Sequence, residues 1–220
     1  MKKSSATILF ALSFLPAPAL AQVCRGGVDF AISAAQGQAA VEIDNNSSVY
    51  SISGGKGGSR WYGLGSLAVR TYEVREGSTI ILGIGGGRTF QYRRTGNARH
   101  CLELRGEFGT GPDRPGAVRA DESSSAVTFE FISGLPLAAG RSTSVTPFAG
   151  FALRYSSVVT QGDLTSQSDK DFYELVTLGA GLTINSVYAL QPYIQFPLGR
   201  DRKSDPVFGM RLSMSLGARN

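Results

Sequence analysis

The chain has 220 residues, of which 18% are charged and 42% hydrophobic, with 28 glycines and a formal net charge of +5. Charge this sparse falls below the ~25% of ordinary soluble domains, and so small a basic excess excludes an electrostatic nucleic-acid footprint. After residue 21 no stretch has 18 consecutive apolar residues, which excludes a transmembrane helix and leaves one domain's worth of chain to fold by other means.

The N-terminus reads as a secretory signal peptide over 1–21. Lys2 and Lys3 precede an apolar run from Ala6 to Leu15, and Ala19-Leu20-Ala21 is a small-x-small cleavage pattern. Cleavage leaves one β-barrel domain over 22–220, 220 − 21 = 199 residues, with 22 − 2 = 20 basic against 17 acidic side chains. Cys24 follows Val23 without a lipobox, so no lipid anchor is expected. In the oxidising compartment to which a signal routes the chain, Cys24 and Cys101 imply one disulfide by default, with two unpaired thiols as the alternative.

The rest of the chain alternates with period two, the mark of strands with two unlike faces. Over 28–44, Ala39, Val41 and Ile43 alternate with Ala40, Glu42 and Asp44. Runs 47–55 and 60–74 are less regular but strand-like in composition, with Val49, Tyr50, Ile52, Trp61, Leu67 and Val69. Over 79–93, Ile80, Leu82, Ile84, Phe90 and Tyr92 oppose Gly83, Gly85, Gly87, Thr89 and Gln91. Over 98–109, Leu102, Leu104 and Phe108 oppose Arg99, Cys101, Glu103, Arg105 and Glu107. Val127, Phe129, Phe131 and Leu135 mark 125–137, and Phe151, Leu153, Tyr155 and Val159 mark 145–159. The last three faces are Phe172 to Ile184, Tyr188 to Leu198, and Phe208 to Leu216 in steps of two.

Read back from the C-terminus, the links 199–204, 185–186, 160–170, 138–142, 110–124 and 94–96 alternate long and short. Transmembrane barrels have longer external loops and short periplasmic turns, which places 110–124, 160–170 and 199–204 outside. The link 75–78 is short although it also counts as external.

In hydrocarbon every backbone N–H and C=O must be satisfied internally, so helices and closed barrels alone can span. With helices excluded, the expected fold is all-β: a closed antiparallel up-and-down transmembrane β-barrel. Even strand number and termini on one side give ten strands, with eight as the alternative. A soluble lipocalin-like barrel would turn the same Leu, Ile and Phe inward around a ligand. The inverted barrel is preferred because the opposite face is mainly Gly, Ser, Thr and Ala, because aromatics gather at run ends, and because overall charge is low. Arg70, Arg99, Glu103, Arg105, Glu107, Glu130, Arg154 and Arg211 then form a lumen charge network that pairs and plugs a narrow bore. Cys101 shares their parity, so a bridge to Cys24 would pin the N-terminal segment at the inner mouth.

The signal, the Gly-rich alternating strands and the final-strand sequence Val207-Phe208-Gly209-Met210-Arg211-Leu212 resemble small bacterial outer-membrane β-barrel proteins of the opacity-like type. The resemblance implies an integral outer-membrane protein in contact with lipid and the barrel-assembly machinery, expected as a monomer with an envelope-structural or surface-interaction role. A narrow diffusion channel is the first alternative and a soluble exported ligand-binding barrel the second.

No enzyme, cofactor or metal is expected. The one histidine, His100, shares parity with outward Leu102 and Leu104 and reads as interfacial. Asp113, Asp121, Glu122, Asp163, Asp169 and Asp171 read as solvated loop charges, although loosely held Ca²⁺ is conceivable there. Gly83-Ile84-Gly85-Gly86-Gly87 has no helix after it, so its glycines are expected to admit neighbouring bulk in the lumen rather than phosphate. Arg200, Arg202 and Lys203 read as solvated loop cations that could touch anionic headgroups.

Overall fold

The computed structural model describes residues 35–57, 61–73, 77–90, 98–111, 120–140, 142–162, 166–185, 187–198 and 205–216. The signal peptide, Cys24, the 28–34 part of the first run, Tyr92, Asp113, Asp163, Arg200, Arg202 and Lys203 lie outside these residues.

Eleven strands follow in order: β1 (Ala35–Ile43), β2 (Ser47–Gly57), β3 (Trp61–Tyr72), β4 (Ser78–Phe90), β5 (Arg99–Thr110), β6 (Ala120–Gly134), β7 (Leu137–Ala138), β8 (Thr143–Gly162), β9 (Ser166–Ile184), β10 (Tyr188–Leu198) and β11 (Val207–Leu216). Apart from β6 and β7, neighbours in sequence pair antiparallel, β1 pairs with β11, and β6 pairs directly with β8. That last ladder closes a ten-stranded barrel and leaves β7 as a two-residue spur on β8. Closure satisfies the backbone and removes the sheet edges within the wall.

Register follows the pleat. Leu67 faces Leu82, Leu82 faces Phe108, and Leu190 stands between Leu182 and Leu212, so apolar side chains form continuous rows across the wall. Turn chemistry fixes two of the hairpins. Asp44 Oδ1 accepts from the backbone N–H groups of Asn46 and Ser47 at 2.8 and 2.6 Å, the local bonding that suits Asp to turns. Asn185 adopts φ 52° between β9 and β10, a left-handed conformation that Asn tolerates.

Two sequence expectations change. β6 starts at Ala120 rather than 125, and β8 and β9 run to Gly162 and from Ser166, so 160–170 is a hairpin with a link over 163–165 only. Consequently the long–short alternation of links does not hold: 163–165 is short, while 91–98, at the opposite end of the barrel, is long. The cause is that both faces of these outer segments are wet, so no hydrophobic period marks them as strand. Asp169 and Asp171 are therefore residues of β9, and Glu122 of β6. We call the end where β1 begins and β11 finishes the terminal end, and the opposite one the far end.

The bulky face points outward. Leu82, Leu104, Phe129 and Leu212 are 59%, 56%, 47% and 55% exposed, whereas Glu103, Glu130, Gln191 and Arg211 are buried. A greasy exterior around an ionised interior is the inverse of a lipocalin-like barrel and the arrangement that hydrocarbon selects.

Candidate functional site

The lumen is assembled by parity, since every second residue of each strand must face it. All eight expected residues stand at inward positions: Glu103, Glu130 and Arg211 are buried, and Arg70, Arg99, Arg105, Glu107 and Arg154 are half-buried. They do not form one network.

At mid-wall, Glu107 accepts from Arg154 Nη2 at 2.7 Å and Arg105 Nη1 at 3.4 Å. The pairing is reached because Arg105, Thr128 and Arg154 lie in one row on β5, β6 and β8.

Nearer the terminal end, Glu103 and Glu130 are direct cross-strand partners. Tyr62 donates its hydroxyl to Glu103. The same hydroxyl lies 3.6 Å from Cys101 Sγ. Across the barrel, Arg211 Nη1 donates to Gln191 Oε1 at 3.3 Å, and its guanidinium lies 5.2 Å from the Tyr193 ring centre. Tyr193 in turn donates to Glu42 Oε1 at 2.5 Å. Arg70 stands toward the far end of β3, and Arg99 opens β5 at the terminal end.

Below the charged layers, Tyr62, Leu64, Cys101, Ile132 and Phe148 pack together inside the terminal end. This apolar plug was not legible from alternation, which assigns bulk to the outside. Inward aromatics use the inward glycines: in the plug, Tyr62 is the cross-strand partner of Gly87 and Phe148 of Gly179, and across the barrel Tyr193 is the partner of Gly209. A Cβ at Gly87 would meet the Tyr62 hydroxyl at 2.5 Å, and those at Gly179 and Gly209 would strike the Phe148 and Tyr193 rings. Glycine spacing opposite Tyr or Phe was the signal that would have revealed the plug.

Cys101 is wholly buried and is not a free thiol. His100 is stacked on Phe131 at 5.8 Å between ring centres and lies 5.5 Å from Phe90, in the wall rather than the lumen. No helix among the described residues is long and apolar enough to cross a membrane.

No protein-family model and no curated protein matches the sequence. Among solved structures, the chain is similar to the N-terminal β-barrel domain of Pseudomonas aeruginosa OprF, with 8% identity, 84% of this chain and 98% of that one covered, and a TM-score of 0.39. It is similar to the translocator domain of autotransporter NalP from Neisseria meningitidis, with 8% identity, 84% and 86% coverage, and a TM-score of 0.43. It is also similar to Ail, the attachment invasion locus protein of Yersinia pestis, with 11% identity, 83% and 95% coverage, and a TM-score of 0.31.

Proposed function

We propose that this chain is a non-enzymatic integral outer-membrane barrel, exported by the signal peptide over 1–21 and inserted by the barrel-assembly machinery, that acts as a monomer in surface interaction or envelope architecture. The observation that carries this reading is the length of β8 and β9, 20 and 19 residues. A tilted strand crosses a bilayer in about 9 to 11 residues, so roughly half of each is surplus to spanning. The surplus lies at the far end. β10 follows β9 only to the Leu198–Glu174 pair, so Ser166–Tyr173 runs on past the wall with β8 and the start of β6 beside it. Polar and exposed from Ser166 to Lys170, this three-stranded extension suits water outside the cell. The terminal end then faces the periplasm.

The layered interior favours a plugged barrel over a conducting one. Phe148, Ile132 and Tyr62 fill the terminal end, and the Arg105–Glu107–Arg154 layer follows above. We also assign Cys101 to a disulfide with Cys24, which would tether the mature N-terminus inside the periplasmic mouth. Thiol alkylation before and after reduction should differ by two sites; two reactive thiols in the unreduced, denatured chain would remove the assignment.

Topology is tested with a membrane-impermeant amine reagent. Lys170 on the extension should label on intact cells, and Lys56, exposed near the terminal end of β2, only after permeabilisation. The reverse order, or release of the protein by carbonate extraction, would overturn the placement.

A further inference from the structure

The outer wall is not evenly filled. A groove of about 660 Å³ runs over β3, β4 and β5; its lining includes Trp61, Ile84, Leu104 and Phe129, with Arg88 at one end, and takes in the inward Glu103, whose carboxylate accepts from Tyr62. Its volume falls within the ~300–1,000 Å³ typical of small-ligand sites. The hollow arises because Gly63 and Gly86 stand side by side at outward positions next to Leu104, and Gly106 stands between Ile84 and Val127. Those flanking side chains are strongly exposed, Ile84 and Leu104 among them, so the groove has apolar sides and opens to the surroundings of the barrel.

Arg88 supplies a second, independent feature. It is an exposed cation on the apolar wall, held 5.1 Å from the Trp61 ring centre, and Trp61 is its direct cross-strand partner. No carboxylate stands at an outward position along 61–67, 82–88, 102–108 or 127–131, and no described residue forms an ion pair with Arg88. Both residues lie at the terminal end, Trp61 opening β3 and Arg88 two residues before the end of β4. Tryptophan at that depth marks a membrane–water interface, and a guanidinium there meets phosphate bidentately.

We propose that this groove binds one anionic glycerophospholipid of the periplasmic leaflet, its phosphate on Arg88 and one acyl chain laid over Gly86 and Gly106. The proposal rests on the membrane placement above, and its occupant follows from charge and shape together: a cation stacked at the headgroup level, and a trough of methyls and bare backbone below it. A diacylglycerol, which has no phosphate, would fill the trough but leave Arg88 without an anion.

The test uses the refolded mature barrel in non-ionic detergent, with folding verified first by heat-modifiable gel mobility, so that loss of the fold and loss of the site are separate results. Native mass spectrometry titrated with phosphatidylglycerol should show a saturable one-to-one adduct, about tenfold tighter than with diacylglycerol, which lacks the phosphate, the ratio that one charge-assisted contact supplies. Arg88→Gln should remove that headgroup preference while keeping weak binding of both lipids. Gly106→Leu should weaken both, and it is tolerable to the backbone because a Cβ there has no atom nearer than 4.0 Å. Binding that Arg88→Gln and Gly106→Leu leave unchanged would overturn the site. So would preferential binding of lipid A, or a dimer that both substitutions dissolve.

Discussion

At the scale of single residues, the interior is decided by pairs in which one partner is absent. Tyr62 occupies the space over Gly87, and its hydroxyl reaches Glu103 only because nothing projects from Gly87 to hold the ring away. Gly87→Ala is therefore expected to destabilise the barrel by about 1 to 3 kcal/mol, the usual cost of overpacking a filled interior. Gly37→Ala is the control, since a Cβ there meets nothing within 4 Å, and it should change stability little. The comparison is made by urea unfolding in lipid vesicles with Trp61, the one tryptophan, as the fluorescent probe. Equal midpoints for the two variants would show that the Tyr62 ring is not held over Gly87. Much of this layer was hidden from sequence. The eight chosen charges share the parity of the buried rows, yet Tyr62, Tyr193, Gln191 and Glu42, which contact some of them, went unselected, because inward Tyr and Gln look like any other break in an apolar row.

At the scale of elements, legibility depended on how different the two faces of a strand are. Over 98–109, an exposed apolar face on one side and a packed polar interior on the other go with strict alternation, and β5 is found at Arg99–Thr110. Beyond the wall that contrast ends. Ser123, Ser124 and Ser125 in β6 and Ser166 to Asp171 in β9 form good ladders without any hydrophobic period, so the strands were underestimated toward the far end. The same difference predicts separable stabilities. Replacing 158–169 by a two-residue type I′ turn, with Ser157 and Lys170 as its flanking pair, removes most of the strand that projects past β10 and leaves every ladder of the wall closed. The shortened barrel should keep its heat-modifiable mobility and a urea midpoint close to that of the full chain, while surface accessibility to extracellular protease at the far end disappears. Failure of the shortened chain to fold would instead make the extension part of the folding nucleus and contradict its role as a display element.

At the scale of the whole molecule, the solvent that the protein expects can be read from which substitutions it should resist. Leu212 is at the middle of β11 and 55% exposed, and on a water-soluble protein an arginine at so open a position would be almost neutral. In hydrocarbon the same change should cost about 2 to 4 kcal/mol at mid-depth, falling to about 0 to 1 kcal/mol near the interface. Leu212→Arg and Leu216→Arg, four residues apart on the same outward face, thus form a depth series along one strand. Reversible unfolding from phospholipid vesicles should rank them Leu212→Arg well below Leu216→Arg, with the parent chain highest. Detergent micelles, which yield around a charge more readily, should narrow the gap. The ranking separates a membrane wall from an exposed but aqueous one, because only a slab of low dielectric makes the penalty depend on height. Equal, near-zero costs at both positions would mean that the outward rows of Leu, Ile and Phe meet water or another protein, and the barrel would then have to be placed outside the bilayer.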